Sequence, residues 1–220
     1  EGIRHMRKRW ACQMSTTVLE RPELIELAAE AGCHETYVGI ESLDKANLAS
    51  VHKGFNKVEE YGRLFKTFKE VGILAQASVM FGFDNDTPDS LRRTVDQLLE
   101  WDINYLYVTI LTPLPGTPFY DKMKSSGRII DDNWAHYDCT RCVIEPVSMS
   151  CSQLEDAVWE AYERFYSAGA IAARLWRFRR EYIRYFPRDM APEELFFQNH
   201  CRRAIRRRLH PFSLGLRLDA

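Results

Sequence analysis

Glu41 ends the mostly apolar run "TYVGIE" and is followed by Ser42. A carboxylate at that place either anchors the loop that follows or accepts hydrogen bonds from the hydroxyls of a bound ligand, such as a ribose diol. A second run ends in "MFGFDNDTP", where Gly82 lets a flat ring approach the backbone, or where Gly82 and Asp84 simply make a turn. A third ends in "TILTPLPGTP", with three prolines between Pro113 and Pro118 and Gly116 among them. Proline fixes φ and removes an N–H, so this stretch reads as a rigid lip that presents carbonyls and few donors. Lys53 and Lys57 flank "GFN" in the loop after "TYVGIE". They are either solvated or partners of a ligand carboxylate. Cys139 and Cys142 form one C-x-x-C, a weak metal signal without a second pair or a spaced histidine. The six histidines show no ligand spacing and read as structural or exposed.

The elements that must hold these residues repeat four times. Each repeat is a short apolar run, a polar corner and a helix with a 3.6-residue stripe. The first strand is expected over 10–15, with a helix after Pro22 carrying Leu24, Ile25, Leu27, Ala28 and Ala31 and stopping at Gly32. The second spans 36–41, with a helix capped by Asn56, a stripe of Val58, Tyr61, Phe65 and Phe68, and a stop at Gly72. The third spans 73–81, with a helix capped by Thr87, opened by Pro88 and carrying Leu91, Val95, Leu98 and Leu99. The fourth spans 105–111, with a short helix from Pro118 to Ser126 before Gly127. Strands alternating with helices at this period pair in parallel with right-handed crossovers.

The strands read differently on their two sides. Gln13 and Ser15, Tyr37, Gly39 and Glu41, Gln76, Ser78 and Gly82, and Tyr105, Tyr107 and Thr109 form a mixed or polar parity. Cys12 and Met14, Val38 and Ile40, Val79 and Phe81, and Leu106, Val108 and Ile110 form an apolar one. Strands of an open sheet covered on both faces would be apolar on both. The expectation is therefore an α/β barrel-like sheet with helices outside and a partly polar interior. Four strands do not close such a barrel, and a chain that opens on Glu1 is expected to be part of a longer one.

After residue 130 the pattern changes. Residues 131–149 read as a connector. Ser150 and Gln153 have capping-box spacing, and a stripe of Leu154, Val158, Ala161 and Phe165 is expected to continue as one long helix to Phe186, before Pro187. Pro192 opens another helix. The expected division is a barrel part over 1–130, the connector, and a helical, Arg-rich extension over 150–220.

Composition sets outer limits. With 220 residues, 45% hydrophobic and 28% charged, the chain is ordinary for a globular domain. No signal peptide is visible in these residues, and no apolar run among them is long enough to span a bilayer. Six scattered cysteines do not read as a disulfide framework, so a reducing cytosol is the default expectation. The net charge of −1 hides an imbalance: residues 174–210 hold eleven Arg and four acidic residues. There, Ile171, Leu175, Phe178 and Tyr182 share one helical face, and Arg174, Arg177, Glu181 and Arg184 mainly another. A solvated charged face is the plain reading. A peripheral contact of residues 171–210 with an anionic membrane surface is the alternative, and nucleic acid is not expected because no recognition motif accompanies the charge.

In succession, "AGCHETYVGIES", "HKGFNK", "GILAQASVMFGFDNDTPDS", "LTPLPGTPFYDKM", "GRIIDDNW" and "ERFYS" resemble the radical S-adenosylmethionine enzymes. Within them the match is to the branch with an N-terminal cobalamin-binding domain, which includes magnesium-protoporphyrin cyclases and radical methylases. The resemblance covers about residues 8–167. It implies a six-stranded partial (β/α) barrel of which this chain holds strands three to six. The family's cluster-binding C-x-x-x-C-x-x-C and its Gly-Gly-Glu motif are not in this sequence, so the fragment alone is expected to be inactive. The resemblance assigns cofactor contacts to Glu41 and Ser42 at the ribose and methionine end, to the Met80–Gly82 backbone near adenine, and to Thr109, Leu111 and Pro113 along the adenine pocket. It places Gln13 and Ser15 toward ribose or substrate and Lys57 beside a carboxylate. It implies S-adenosylmethionine, a [4Fe-4S] cluster bound upstream, cobalamin bound in another domain, a small-molecule substrate and an electron donor such as flavodoxin or ferredoxin. It implies a cytoplasmic enzyme that makes a 5′-deoxyadenosyl radical for hydrogen abstraction, followed by methyl transfer or by oxidation or cyclisation of a lipid, pigment or other small molecule. The alternatives are a methylthiotransferase or coproporphyrinogen-oxidase-like enzyme, and a cluster-free barrel acting as a scaffold.

Overall fold

A computed structural model describes residues 2–182 and 190–212. Four strands, β1 (Trp10–Met14), β2 (Cys33–Glu41), β3 (Leu74–Phe81) and β4 (Tyr105–Ile110), form one parallel sheet in the order β1-β2-β3-β4. Sequential order with right-handed crossovers puts every connecting helix on the same side, as in a barrel wall. α1 (Pro22–Glu30), α3 (Tyr61–Glu70) and α4 (Pro88–Glu100) provide that layer. Ile25, Leu64, Phe65, Phe68, Leu91, Val95 and Leu98 join Val38, Ile40, Ala77, Val79, Phe81, Leu106, Val108 and Ile110 in one core. The apolar parity is thus the helix side. Gln13, Tyr37, Gly39, Glu41, Gln76, Met80, Tyr107 and Thr109 lie on the opposite, partly open inner face.

Local signals place most boundaries. Thr87 and Ser90 form a reciprocal capping box with Pro88 at the first helical position. Thr117 caps α5 (Pro118–Ser125), and Ser150 and Gln153 box the start of α6 (Cys151–Phe165). Three expectations are corrected. Leu24 and Leu27 are exposed, because α1 presents Ile25 and Ala28 to the core and has no helix on its far side among the described residues. Asn56 is not a cap: it is buried, accepts from the Thr16 hydroxyl, and donates to the carbonyls of Gly39 and Ile40. A short helix, α2 (Lys45–Ser50), fills the loop after β2 and was missed in the pattern.

The helix after Ser150 is not continuous. Ser167 accepts from Ala170 N and starts α7 (Ala168–Arg177), so the chain turns instead of running on. Arg174 is also not solvated. Its guanidinium is buried 4.1 Å from the Phe165 ring centroid and donates to the Phe165 carbonyl and to Gln198 of α8 (Met190–Arg206). Arg179, Arg203 and Arg206 are exposed. The expected faces at Glu181 and Tyr182 rest on side chains that are not described, and Arg184, Phe186 and Pro187 lie outside the described residues. Among the described residues no helix is long and apolar enough to cross a membrane.

The extension seals the outer edge of β4. The Tyr166 hydroxyl accepts from Leu106 N at 3.2 Å and donates to Leu106 O. Tyr162 does the same at Val108, at 2.9 and 3.1 Å. Ile110 N donates to Cys139 O, and Gln198 donates to Asn104 O. An edge strand normally leaves such groups for another chain or for water. Both hydroxyls are deeply buried, and burial raises the pKa of each phenol. Tyr162→Phe or Tyr166→Phe is expected to leave buried backbone groups unpaired and to lower unfolding free energy by about 1–3 kcal/mol, read in urea denaturation. An equal effect from a control away from the β4 edge, such as Tyr120→Phe on half-buried Tyr120 of α5, would contradict the edge role.

Cys142 and Cys151 form a disulfide across the junction of connector and α6. The cysteines, which did not read as a disulfide framework, thus include one disulfide, and Cys142 of the weak C-x-x-C signal is taken up in it while Cys139 is a free thiol. A separation of nine residues and a hairpin-like return bring the Cα atoms of Cys142 and Cys151 to 5.4 Å, inside bridging range. Among the described residues no group of three His, Cys, Asp or Glu side chains gathers to hold a metal ion.

Candidate cofactor site at the strand ends

Parallel sheets present their ligand-binding loops at the carboxyl ends of the strands. Glu41 stands out there. Its φ is +63°, a left-handed conformation uncommon for a residue with a side chain. A bulge accompanies it: Gly39 pairs with Ser78, whereas Glu41 already pairs with Val79. Bulges re-aim side chains, and local strain of this kind is held where the surroundings enforce it. The Glu41 carboxylate folds back over Gly39 on the inner face. A Cβ at position 39 would meet Glu41 Oε1 at 2.5 Å. Gly39 is thus the residue that makes room for the carboxylate. The cation beside it is Lys53, 3.5 Å away. Lys57 pairs instead with Glu20 and Glu60 near the cleft between residues 16–20 and α3.

The β3 end is shaped by a residue the sequence reading passed over. Asp86 is buried, and its Oδ2 accepts from Gly82 N at 2.9 Å and Phe83 N at 3.0 Å. Its Oδ1 accepts from the buried Asn47 side chain at 2.9 Å. Asn47 also donates to Ser42 Oγ, and Asp44 caps α2 by accepting from Asn47 N. A Ser42–Asn47–Asp86 chain therefore ties the loop after β2 to the loop after β3. Its signal in the sequence was an Asp five residues past the strand-end Phe81, just before the helix cap Thr87. Burial pushes the Asp86 carboxyl up to about 6, against the hydrogen bonds that favour its charged form.

The sign of the resulting pH dependence is fixed. With a folded pKa above the unfolded range near 4, the folded state holds the proton more tightly, so the contribution is present at low pH and is lost as pH rises through about 6. The stability difference between wild type and Asp86→Asn is expected to shift against wild type between about pH 4 and pH 6. Thermal unfolding at a series of pH values reads it. A constant difference across that window would contradict the assignment.

The remaining residues fall into two groups. Thr109 and Met80 are neighbours on the inner face, and Thr109 Oγ1 donates to Val79 O at 3.4 Å. Gly82 has φ +102°, and Leu111 N donates to Phe81 O, extending the ladder by one bond. Pro113 is buried, and residues 114–117 close a turn with Pro115 second and Gly116 third at φ +83°. This is the rigid lip. Gln13 is exposed on the inner face of β1. Ser15 caps the 16–20 turn, accepting from Thr17 N and Thr17 Oγ1. Ser42 is buried with its oxygen already engaged by Asp44 N and Asn47. The structure therefore gathers Glu41, Met80, Gly82 and Thr109 at one end of the sheet, with Leu111 and Pro113 continuing from β4. Gln13 and Ser15 lie at the β1 side, and Lys57 is turned elsewhere.

Comparison with known proteins follows this geometry. No family model matches the chain. It is 31% identical over 175 residues to bacteriochlorophyllide d C-12(1)-methyltransferase of Chlorobaculum tepidum, covering 80% of this chain and 38% of that protein. It is 25% identical over 179 residues to anaerobic magnesium-protoporphyrin IX monomethyl ester cyclase of Cereibacter sphaeroides, covering 80% of this chain and 29% of that one. In three dimensions it is similar to the radical S-adenosylmethionine methyltransferase TsrM of Kitasatospora setae, solved with cobalamin and a [4Fe-4S] cluster. The TM-score is 0.51 at 22% identity, over 68% of this chain and 30% of TsrM. The chain thus spans well under half of each. Four consecutive parallel strands with one helical face, the order of the motifs and these relatives together show that the chain belongs to the radical S-adenosylmethionine superfamily, in the branch of the bacteriochlorophyllide methyltransferases and magnesium-protoporphyrin cyclases.

Proposed function

We propose that the chain forms the nucleoside-binding half of a radical S-adenosylmethionine enzyme acting on a small molecule, as part of a longer protein. The observation that carries this reading is the strained Glu41, whose carboxylate is folded over a glycine at the end of a parallel strand. Such a carboxylate suits a ribose diol, which offers two hydroxyl donors to two oxygens. Half-buried Met80 on the inner face would lie against adenine, whereas Gly82 is buried under Leu154 of α6 and shapes the loop behind it. The turn at 114–117 then walls the site. The residues present fit S-adenosylmethionine.

They do not fit an iron–sulfur cluster. The sequence holds no C-x-x-x-C-x-x-C, and no metal-binding group occurs among the described residues. We therefore place the cluster, and cobalamin where methyl transfer is the outcome, on other parts of the longer protein. Reduction would draw on an electron donor such as flavodoxin or ferredoxin. When bound and reduced, S-adenosylmethionine supplies the radical chemistry. This chain binds the nucleoside, sets its ribose against the inner face, and keeps water from the strand ends. Relatives that act on bacteriochlorophyllides and a protoporphyrin ester favour methylation or oxidative cyclisation of a pigment-like molecule.

Equilibrium binding of S-adenosylmethionine to a protein joining this chain to a cluster-bearing half tests the reading. Saturable binding, displaced by S-adenosylhomocysteine, is expected. Absence of saturable binding in a folded protein would instead favour a scaffold role.

A further inference from the structure

Glu41 is held at its strained angle by more than the strand it ends. Ser42 N donates to Ile40 O at 2.8 Å, which closes a γ-turn with Glu41 at its centre. With φ at +63° this is the rare, strained form of that turn. The bulge leaves Ile40 without a paired residue in either neighbouring strand: the β1 register ends at Val38, and β3 pairs with Gly39 and then Glu41. Two side chains from outside the sheet reach the Ile40 carbonyl instead. The hydroxyl of Tyr61, the first residue of α3, donates to it at 2.9 Å. Asn56 Nδ2 donates to it and to Gly39 O, at 3.3 Å each. Tyr61 and Asn56 are both buried. The Thr16 hydroxyl donates to Asn56 Oδ1 and so turns the amide N–H groups toward the two carbonyls. Asn56 N donates to Lys53 O at 2.9 Å, closing a turn over 53–56. One turn thus delivers a lysine to the Glu41 carboxylate and an asparagine to the carbonyls before it.

A strained residue persists only where its surroundings over-determine it. A buried asparagine needs partners anywhere, but the place where these partners meet is particular. Ser42 N, Asn56 Nδ2 and the Tyr61 hydroxyl converge on the one carbonyl that precedes Glu41. The φ of Glu41 is the rotation of its Cα substituents against the Ile40–Glu41 peptide plane. Holding that plane by its oxygen, while Ser42 N closes the other side of the turn, fixes the direction in which the Glu41 side chain leaves the backbone. Burial raises the pKa of the Tyr61 phenol, so it stays protonated and remains a donor.

We propose that Asn56 and Tyr61 are positioning residues: they aim the Glu41 carboxylate at the ribose by locking the carbonyls that precede it, and they act through Glu41 alone. This rests on the cofactor reading above, and one arm of its test needs no cofactor. Urea denaturation of the 220-residue chain reads the lock itself. Glu41→Gly is expected to raise the folding equilibrium constant about fivefold, by relieving the left-handed φ. Tyr61→Phe keeps the ring against Trp101 and loses only the donor. In that background, and in Asn56→Ala, Glu41→Gly is expected to gain about twofold or less, because the released turn has already relaxed. Tyr166→Phe, on the β4 edge, should leave the fivefold gain intact. An equal gain in wild type, Tyr61→Phe and Asn56→Ala would overturn the proposal. The second arm is calorimetric titration of S-adenosylmethionine into the protein that joins this chain to a cluster-bearing half. Tyr61→Phe and Asn56→Ala are expected to weaken binding about threefold to tenfold when Glu41 is present, and less than twofold in Glu41→Ala. Tyr166→Phe is expected to bind as wild type does. Equal losses with and without Glu41 would also overturn the proposal, since the two residues would then act elsewhere. If Asn56→Ala does not fold, Tyr61→Phe carries the decision. Wild-type affinity in Glu41→Ala, beside a reduced stability gain in Tyr61→Phe, would refute the cofactor reading and leave the lock on Glu41 standing.

Discussion

Glu41→Ala is expected to weaken S-adenosylmethionine binding about tenfold to a hundredfold while the protein stays folded. A hydrogen bond to a charged group contributes about 1.5–3 kcal/mol, and each 1.4 kcal/mol is a factor of ten in affinity. Two companion variants separate this loss from damage. Gly39→Ala keeps the carboxylate but puts a Cβ where Glu41 Oε1 now lies, 2.5 Å away. The far end of a flexible side chain can swing aside, so stability should hardly change while affinity falls. Glu41→Gly removes the carboxylate and also relieves the left-handed φ of +63°. That change should raise unfolding free energy by about 1 kcal/mol, because glycine adopts this conformation without penalty. A more stable protein that binds worse is the signature of strain kept for function. Calorimetric titration and urea denaturation read the two quantities. Wild-type affinity in Glu41→Ala would remove the residue from the site.

Gly82→Ala is expected to be the most damaging single-methyl change near the site, costing about 2–4 kcal/mol of stability. Two penalties coincide. At φ +102° an alanine is strained whatever the space around it. Its Cβ would also meet Leu154 Cδ2 of α6 at 2.9 Å. Leu154 is buried in the main core and cannot simply leave. Pairing Gly82→Ala with Leu154→Ala separates the terms. The contact penalty should be relieved in the double variant and the backbone penalty should persist, giving a coupling of about 1 kcal/mol. An additive double variant would show that the overlap is absorbed elsewhere. Because Gly82 N and Phe83 N are both held by Asp86, the damage should spread to the loop after β3.

The strands, their parallel order and the covered face were legible because alternation and caps are local signals. Thr87, Ser150 and Gly32 act where the pattern puts them. What the pattern could not show was which polar residues meet. Asn56 has the composition of a cap, yet it bonds to Thr16 some forty residues earlier. Asp86 was passed over in favour of Gly82 and Asp84 because its partners come from two different loops. Lys53 and Lys57 are alike in sequence, and only the path of the loop turns Lys53 toward Glu41. Arg174 read as surface because a charge on a helical wheel does not reveal a ring waiting beneath it, as Phe165 does here. The break at Ser167 was hidden by apolar residues on both sides of it.

The tyrosine hydroxyls along β4 have a consequence for how this protein can misassemble. A sheet recruits a foreign strand through unpaired N–H and C=O groups, and β4 has its outward groups at Leu106 and Val108 already engaged by Tyr166 and Tyr162. Growth of fibrils, exchange of strands between copies and capture by β-binding chaperones are therefore disfavoured at β4, where an intruding strand would first have to displace both tyrosine hydroxyls.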